Sequence, residues 1–62
     1  MAFRKHNKTY SIGDWIITTK NHENCYGVME AGTKVQIMDI GERGYDIQDE
    51  DGNLVTEIGY VI

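Results

Sequence analysis

The apolar positions in the second half of this 62-residue chain recur at a period of two. Thr33-Lys34-Val35-Gln36-Ile37-Met38-Asp39-Ile40 puts Val35 and Ile37 on one side and Lys34, Gln36 and Met38 on the other, the pattern of a strand with one buried face. Gly41-Glu42-Arg43-Gly44 is a bend with glycine at both ends. Tyr45-Asp46-Ile47-Gln48-Asp49 then alternates again, with Tyr45 and Ile47 inward. Glu50-Asp51-Gly52-Asn53 contains Asp-Gly, a two-residue hairpin signal whose central positions need positive φ. The return strand over 54–58 places Leu54, Thr56 and Ile58 on one face and Val55 and Glu57 on the other. Gly59 breaks the run, and Tyr60-Val61-Ile62 reads as a last short strand. Strands this close together specify an all-β domain, a very small five-stranded barrel or open β-roll.

The first half is less regular. Ser11-Ile12-Gly13-Asp14 is turn chemistry, and Trp15-Ile16-Ile17-Thr18-Thr19 is rich in aromatic and β-branched residues, hence a strand. Both of its faces are apolar, so something covers the second face or that face binds a partner. Either Trp15 or Ile16 takes the inward side. Residues 20–32 form a connection long enough to be functional or packed back on itself, with Val28 and Met29 tucked in to close it. Residues 1–9 are polar and patternless, with Phe3 their one large apolar group, and read as a flexible tail or an added edge strand. The expected organisation is a flexible basic segment over 1–10 and one β domain over 11–62. No segment of useful length has a helical period.

Size bounds the function. A 62-residue chain buries about 60% of its unfolded surface and has little interior for an active site. One cysteine, Cys25, excludes an intrachain disulfide and fits a reducing, cytoplasmic setting. No apolar run approaches the roughly 18 residues of a membrane span, and no apolar stretch follows the basic start as a secretory signal requires. An initiating Met and this compact length fit a complete small gene product. Net charge is -4 but uneven: Arg4, Lys5 and Lys8 precede Tyr10 without an acid, whereas ten acids face Lys20, Lys34 and Arg43 beyond it. The folded part should repel nucleic-acid phosphates.

The order Gly13-Asp14-Trp15-Ile16-Ile17, long loop, Gly32-Thr33-Lys34-Val35-Gln36-Ile37, short bend, Gly44-Tyr45-Asp46-Ile47, tight hairpin and terminal Gly59-Tyr60-Val61 resembles an SH3-like barrel. The opening Gly-Asp followed by alternating apolar residues is similar to bacterial SH3-like and KOW-type modules, over residues 12–62. The resemblance implies that residues 20–32 correspond to the RT loop, in which peptide-binding members carry acids and aromatics. Glu23, Tyr26 and Glu30 match these in kind, and Tyr60 matches the aromatic near the last strands. Tyr45 stands where such members carry tryptophan, and the chain has no proline for the turn before the last strand. RNA-binding KOW modules are basic, whereas this domain is acidic.

Other chemistry is thin. Taking Asp49 as the first position of a calcium loop puts Tyr60 at the twelfth, where a bidentate Glu is needed, so residues 49–53 read as a hairpin turn with solvated acids. His22-x-x-Cys25 offers two zinc ligands of the four required, with His6 the one other histidine. Cys25, His22 and Glu23 form a nominal nucleophile, base and acid, but without a cleft or oxyanion hole Cys25 reads as a loop-packing residue. The expectation is a non-enzymatic module without cofactor or metal that binds a protein partner through residues 20–32. Trp15, Glu23, Tyr26, Glu30 and Tyr60 form its surface, and the acids favour a partner with basic groups. Tyr45 belongs to the core and Tyr26 to the surface. Two rivals stand beside it. One is a nucleic-acid-related protein, in which Arg4, Lys5 and Lys8 contact phosphates or the acidic domain mimics nucleic acid, as small acidic bacteriophage proteins can. The other is an assembly domain that self-associates through strand edges as a weak homodimer.

Overall fold

The computed structural model describes residues 10–62, which contain strands and turns and no helix. The strands are β1 (Trp15–Ile17), β2 (His22–Asn24), β3 (Gly27–Met29), β4 (Lys34–Gly41), β5 (Gly44–Asp49) and β6 (Leu54–Val55). Four form an antiparallel sheet in the order β1-β4-β5-β6, and β2-β3 is a separate antiparallel hairpin. The sheets are open. The described residues hold six strands where the sequence suggested five, because the connection over 20–32 folds into a hairpin of its own.

β4 and β5 form the spine, joined through Glu42 and Arg43. Their alternation is as the sequence predicts: Val35, Ile37 and Ile47 have no exposed surface, and Tyr45 retains 2%. With Met29, Val55 and Ile62 they make the core, against which Tyr10, Ile16 and Ile58 pack. Each full burial of such a side chain contributes about 1.5–3 kcal/mol. The Tyr45 hydroxyl accepts the Tyr10 N–H at 3.3 Å, so the buried phenol keeps a polar partner. A register shift between Ile37 and Asp39 marks a bulge at Met38, after which Asp39 faces Asp46 and Ile40 faces Tyr45.

The β5–β6 turn differs from the expected two-residue form. Asp49 and Asn53 face each other, with the Asp49 N–H donating to the Asn53 carbonyl at 3.0 Å, so three residues form the loop. Within it Gly52 has positive φ and Asp51 does not. This is a turn closed by the Gly52 N–H to the Asp49 carbonyl, with glycine in the left-handed position that follows. A two-residue Asp51-Gly52 turn would set Ile47 opposite Thr56. The observed pairs are Gln48 with Leu54 and Ile47 with Val55. One residue of slip reverses every side chain: Val55 is buried against the core and Leu54 is exposed on the outward face, whereas Ile58 packs against the core beyond the strand.

Three further expectations change. β1 ends at Ile17, and Thr18 is buried as a junction: its hydroxyl donates to the Glu30 carbonyl and accepts the Thr33 N–H. Met29 tucks inward as expected, but Val28, its neighbour on a strand, faces out. Residues 60–62 form no strand. Instead the main-chain oxygen of Ile62 accepts from the N–H groups of Thr19 (2.8 Å) and Lys20 (3.2 Å) and from Nε2 of buried His22 (3.0 Å), which draws the Ile62 side chain into the core. Where β5 begins, Gly44 forms a parallel bridge to Gly59, with φ of +118° at Gly44 and backbone against backbone.

Candidate functional site

The residues that the sequence singled out do not converge on one point. Tyr26 sits at the tip of the β2–β3 hairpin and is 93% exposed. Asn24 builds that tip: its Oδ1 accepts the N–H groups of Tyr26 (2.8 Å) and Gly27 (3.1 Å), a side-chain mimic of a backbone turn. Its Nδ2 reaches across to donate to the Leu54 carbonyl at 2.7 Å, tying the hairpin to the β6 edge. The hairpin therefore leans over β6, and a cavity of about 550 Å³ opens between it and the β5–β6 turn. Tyr26, Val28, Met29, Leu54 and Val55 supply its apolar wall; Asn24, Asp49 and Asn53 supply polar groups. That volume lies within the range of about 300–1,000 Å³ common for ligand sites.

Asp49 holds the far wall in shape. One carboxylate oxygen accepts the N–H groups of Asp51 (2.9 Å) and Asn53 (2.8 Å), and the other accepts Asn53 Nδ2 at 2.9 Å. The Asn53 side-chain bond, followed by its main-chain bond, holds the Asp49 carboxyl below its usual 3.8, so the group stays ionised. Gln48 Nε2 adds a bond to the Gly52 carbonyl at 3.2 Å.

Trp15 lies on the outward sheet face. It pairs with Gln36, Gln36 with Gln48, and Gln48 with Leu54, a row that crosses all four strands and ends at the cavity. At about 4.8 Å per strand the row spans roughly 14 Å. Trp15 and Ile17 are exposed, and Lys34 Nζ stands 5.4 Å from the indole centroid. The second apolar face of β1 is thus uncovered among the described residues, and Ile16 takes the inward side.

Tyr60 belongs elsewhere. Its ring and that of Tyr45 meet in a T-shaped contact, 5.4 Å between centroids, and its hydroxyl donates to the Gly41 carbonyl, at the opposite end of the β4–β5 spine. Glu23 is exposed on β2, directly opposite Val28. Glu30 is exposed as well, and its carbonyl serves the Thr18 and Thr33 hydroxyls. Arg4, Lys5 and Lys8 lie outside the described residues, as do His6 and Phe3.

The nominal catalytic trio is not assembled. His22 is buried with Nε2 committed to Ile62, its neighbour Glu23 points to the opposite face, and Cys25 is exposed in the hairpin turn, against the expectation that it packs the loop. Among the described residues no three His, Cys, Asp or Glu side chains group as metal ligands do, and no helix is long and apolar enough to cross a membrane. A second concavity of about 520 Å³ near the β4–β5 turn is lined by Asp39, Glu42, Asp46 and Glu57 with Arg43. Arg43 and Glu57 approach to 3.9 Å there, an exposed pair worth little.

Sequence reasoning missed Asn24, Val28, Leu54 and Asn53. The available signal was Asn24-x-x-Gly27, which offers an Asx turn and a glycine at its close. Comparison with known proteins adds no identity: no protein-family model, curated protein or solved structure matches this chain.

Proposed function

We propose that this chain is a non-enzymatic interaction module that meets a protein partner through the β2–β3 hairpin and the cavity beside it. The observation that carries the reading is Tyr26, an aromatic side chain held 93% exposed by a hydrogen-bonded turn, next to the exposed apolar groups Val28 and Leu54. The turn fixes the main chain that carries the ring, a tyrosine has only two side-chain torsions to order on binding, and aromatics dominate interface hot spots. An SH3-like arrangement is part of this reading; its supports are a hairpin lying between β1 and β4 in the chain, where an RT loop would fall, and the return of residue 62 to Thr19 and Lys20. A cytoplasmic setting suits an exposed unpaired thiol.

The test is a two-dimensional amide NMR titration of the labelled full chain with fractionated cell lysate. Shifts concentrated in residues 22–29 and 49–55, lost in Tyr26→Ala with an unchanged circular dichroism spectrum, are expected. Shifts confined to residues 4–8 on adding nucleic acid would replace this reading with phosphate contact.

A second reading has one specific support. Among the described residues β1 is a sheet edge with Trp15 (47%) and Ile17 (57%) exposed, a surface on which two copies could pair. Thermal stability that rises with protein concentration would favour it.

A further inference from the structure

From the make-up of the cavity, and resting on the interaction reading above, we infer that its occupant is a short basic segment of the partner protein carrying one large apolar side chain. The apolar wall of Tyr26, Val28, Met29 and Leu54 sets the first requirement. Charge sets the second. Asp49 lines the cavity as a carboxylate kept ionised, no lysine or arginine among the described residues lines it, and Glu50 and Asp51 are exposed in the turn that forms its far wall. Glu23 stands on the near side, opposite Val28. Of the bases in residues 10–62, Lys34 lies over Trp15 and Arg43 lies by Glu57, while Lys20 precedes the hairpin; none lines the cavity. An apolar anchor is therefore drawn into the space between the hairpins while lysines or arginines on either side meet acids on both rims. Acidic segments meet like charge there, which supplies selection against them.

Three twelve-residue peptides test this by amide NMR with the full chain. The first has a central Phe flanked by lysines among serines. The second has glutamate in place of each lysine. The third has Gly in place of Phe. The first should move the amides of residues 24–28 and 49–54. It should bind at least tenfold more tightly than either of the others and weaken as salt is raised from 50 to 500 mM, since exposed charges are screened over about 10 Å at 0.1 M. The paired substitution Glu50→Lys with Asp51→Lys, at exposed turn positions, should reverse the preference between the first two peptides. Equal binding of the lysine and glutamate peptides overturns the inference, as does a response centred on Trp15 and Lys34. Replacing Arg4, Lys5 and Lys8 by glutamine would also overturn it if the Tyr26 and Leu54 amides then move without peptide, because the chain's own basic segment would be the occupant. A chain that answers lysate through residues 22–29 yet ignores all three peptides removes this inference and leaves the interaction reading intact.

Discussion

Replacing Gly44 by alanine places a methyl group against the main chain of Gly59, within contact distance of its Cα, carbonyl carbon and carbonyl oxygen. No side-chain rotation relieves this, since both partners are backbone. The segment carrying Gly59 must move away, and three hydrogen bonds depend on its position: Tyr45 N–H to the Gly59 carbonyl (3.1 Å), Gly59 N–H to the Arg43 carbonyl (3.0 Å) and Ile58 N–H to the Tyr45 carbonyl (3.1 Å). Each is worth about 0.5–1.5 kcal/mol net. The φ of +118° adds a conformational cost of about 1–3 kcal/mol for any residue with a Cβ. The total is roughly 3–7 kcal/mol, against a stability of about 3–9 kcal/mol for a domain of this length at about 0.05–0.15 kcal/mol per residue. Gly52→Ala is the matched control, because Gly52 also has positive φ (+91°) but a Cβ there meets nothing within 4 Å. It should cost about 1–2 kcal/mol. Thermal unfolding followed by circular dichroism should show Gly44→Ala melting at least ~12 °C below the parent, or failing to fold, and Gly52→Ala falling by less than that. Equal losses in the two variants would refute the close approach of Gly44 and Gly59.

Other consequences follow from particular side chains. Val55→Ala removes buried methyl groups opposite Ile47 and should cost about 1.5–3 kcal/mol in urea unfolding, whereas Leu54→Ala should cost under about 1 kcal/mol; the reverse order would restore the two-residue turn register. The lowered Asp49 carboxyl supports the fold at pH above its unfolded value near 3.8, and this support is lost as pH falls through the still lower folded value. Asp49→Ala should therefore flatten the fall in melting temperature between pH 4 and 2, and an unchanged slope would show that its turn bonds are not formed in solution. Cys25 should react fully with a thiol reagent in the native protein, and protection until denaturant is added would place it inside.

Where one residue type settled a conformation, the sequence was legible. Val35, Ile37, Tyr45 and Ile47 alternate without interruption, and all four are buried as their period requires. Tyr26 and Tyr45 were assigned to opposite environments by their surroundings alone, and both assignments hold. The failures lie where a side-chain hydrogen bond, local or long-range, decides. Asp51-Gly52 suits a two-residue turn, but the Asp49 carboxylate recruits Asp51 and Asn53 and adds a residue to the loop, which turns Val55 inward. His22-Glu23-Asn24 has poor strand propensity, and it becomes a strand because Asn24 closes the turn and Ile62 receives His22 from 40 positions away. Trp15 and Leu54 share a sheet face through two intervening glutamines, a relation set by the β1-β4-β5-β6 order, which a linear pattern does not encode.

The cavity exists because the β2–β3 hairpin lies against β6. The direct measurement is a NOESY spectrum of the full chain in solution, read for cross-peaks between the Asn24 side-chain amide and Leu54 and between the His22 ring and Ile62. Both sets of cross-peaks are expected, in keeping with hydrogen bonds of 2.7 and 3.0 Å. A spectrum that shows the β4–β5 pairing but neither set would mean that the hairpin stands free, and the cavity with its proposed partner would go with it.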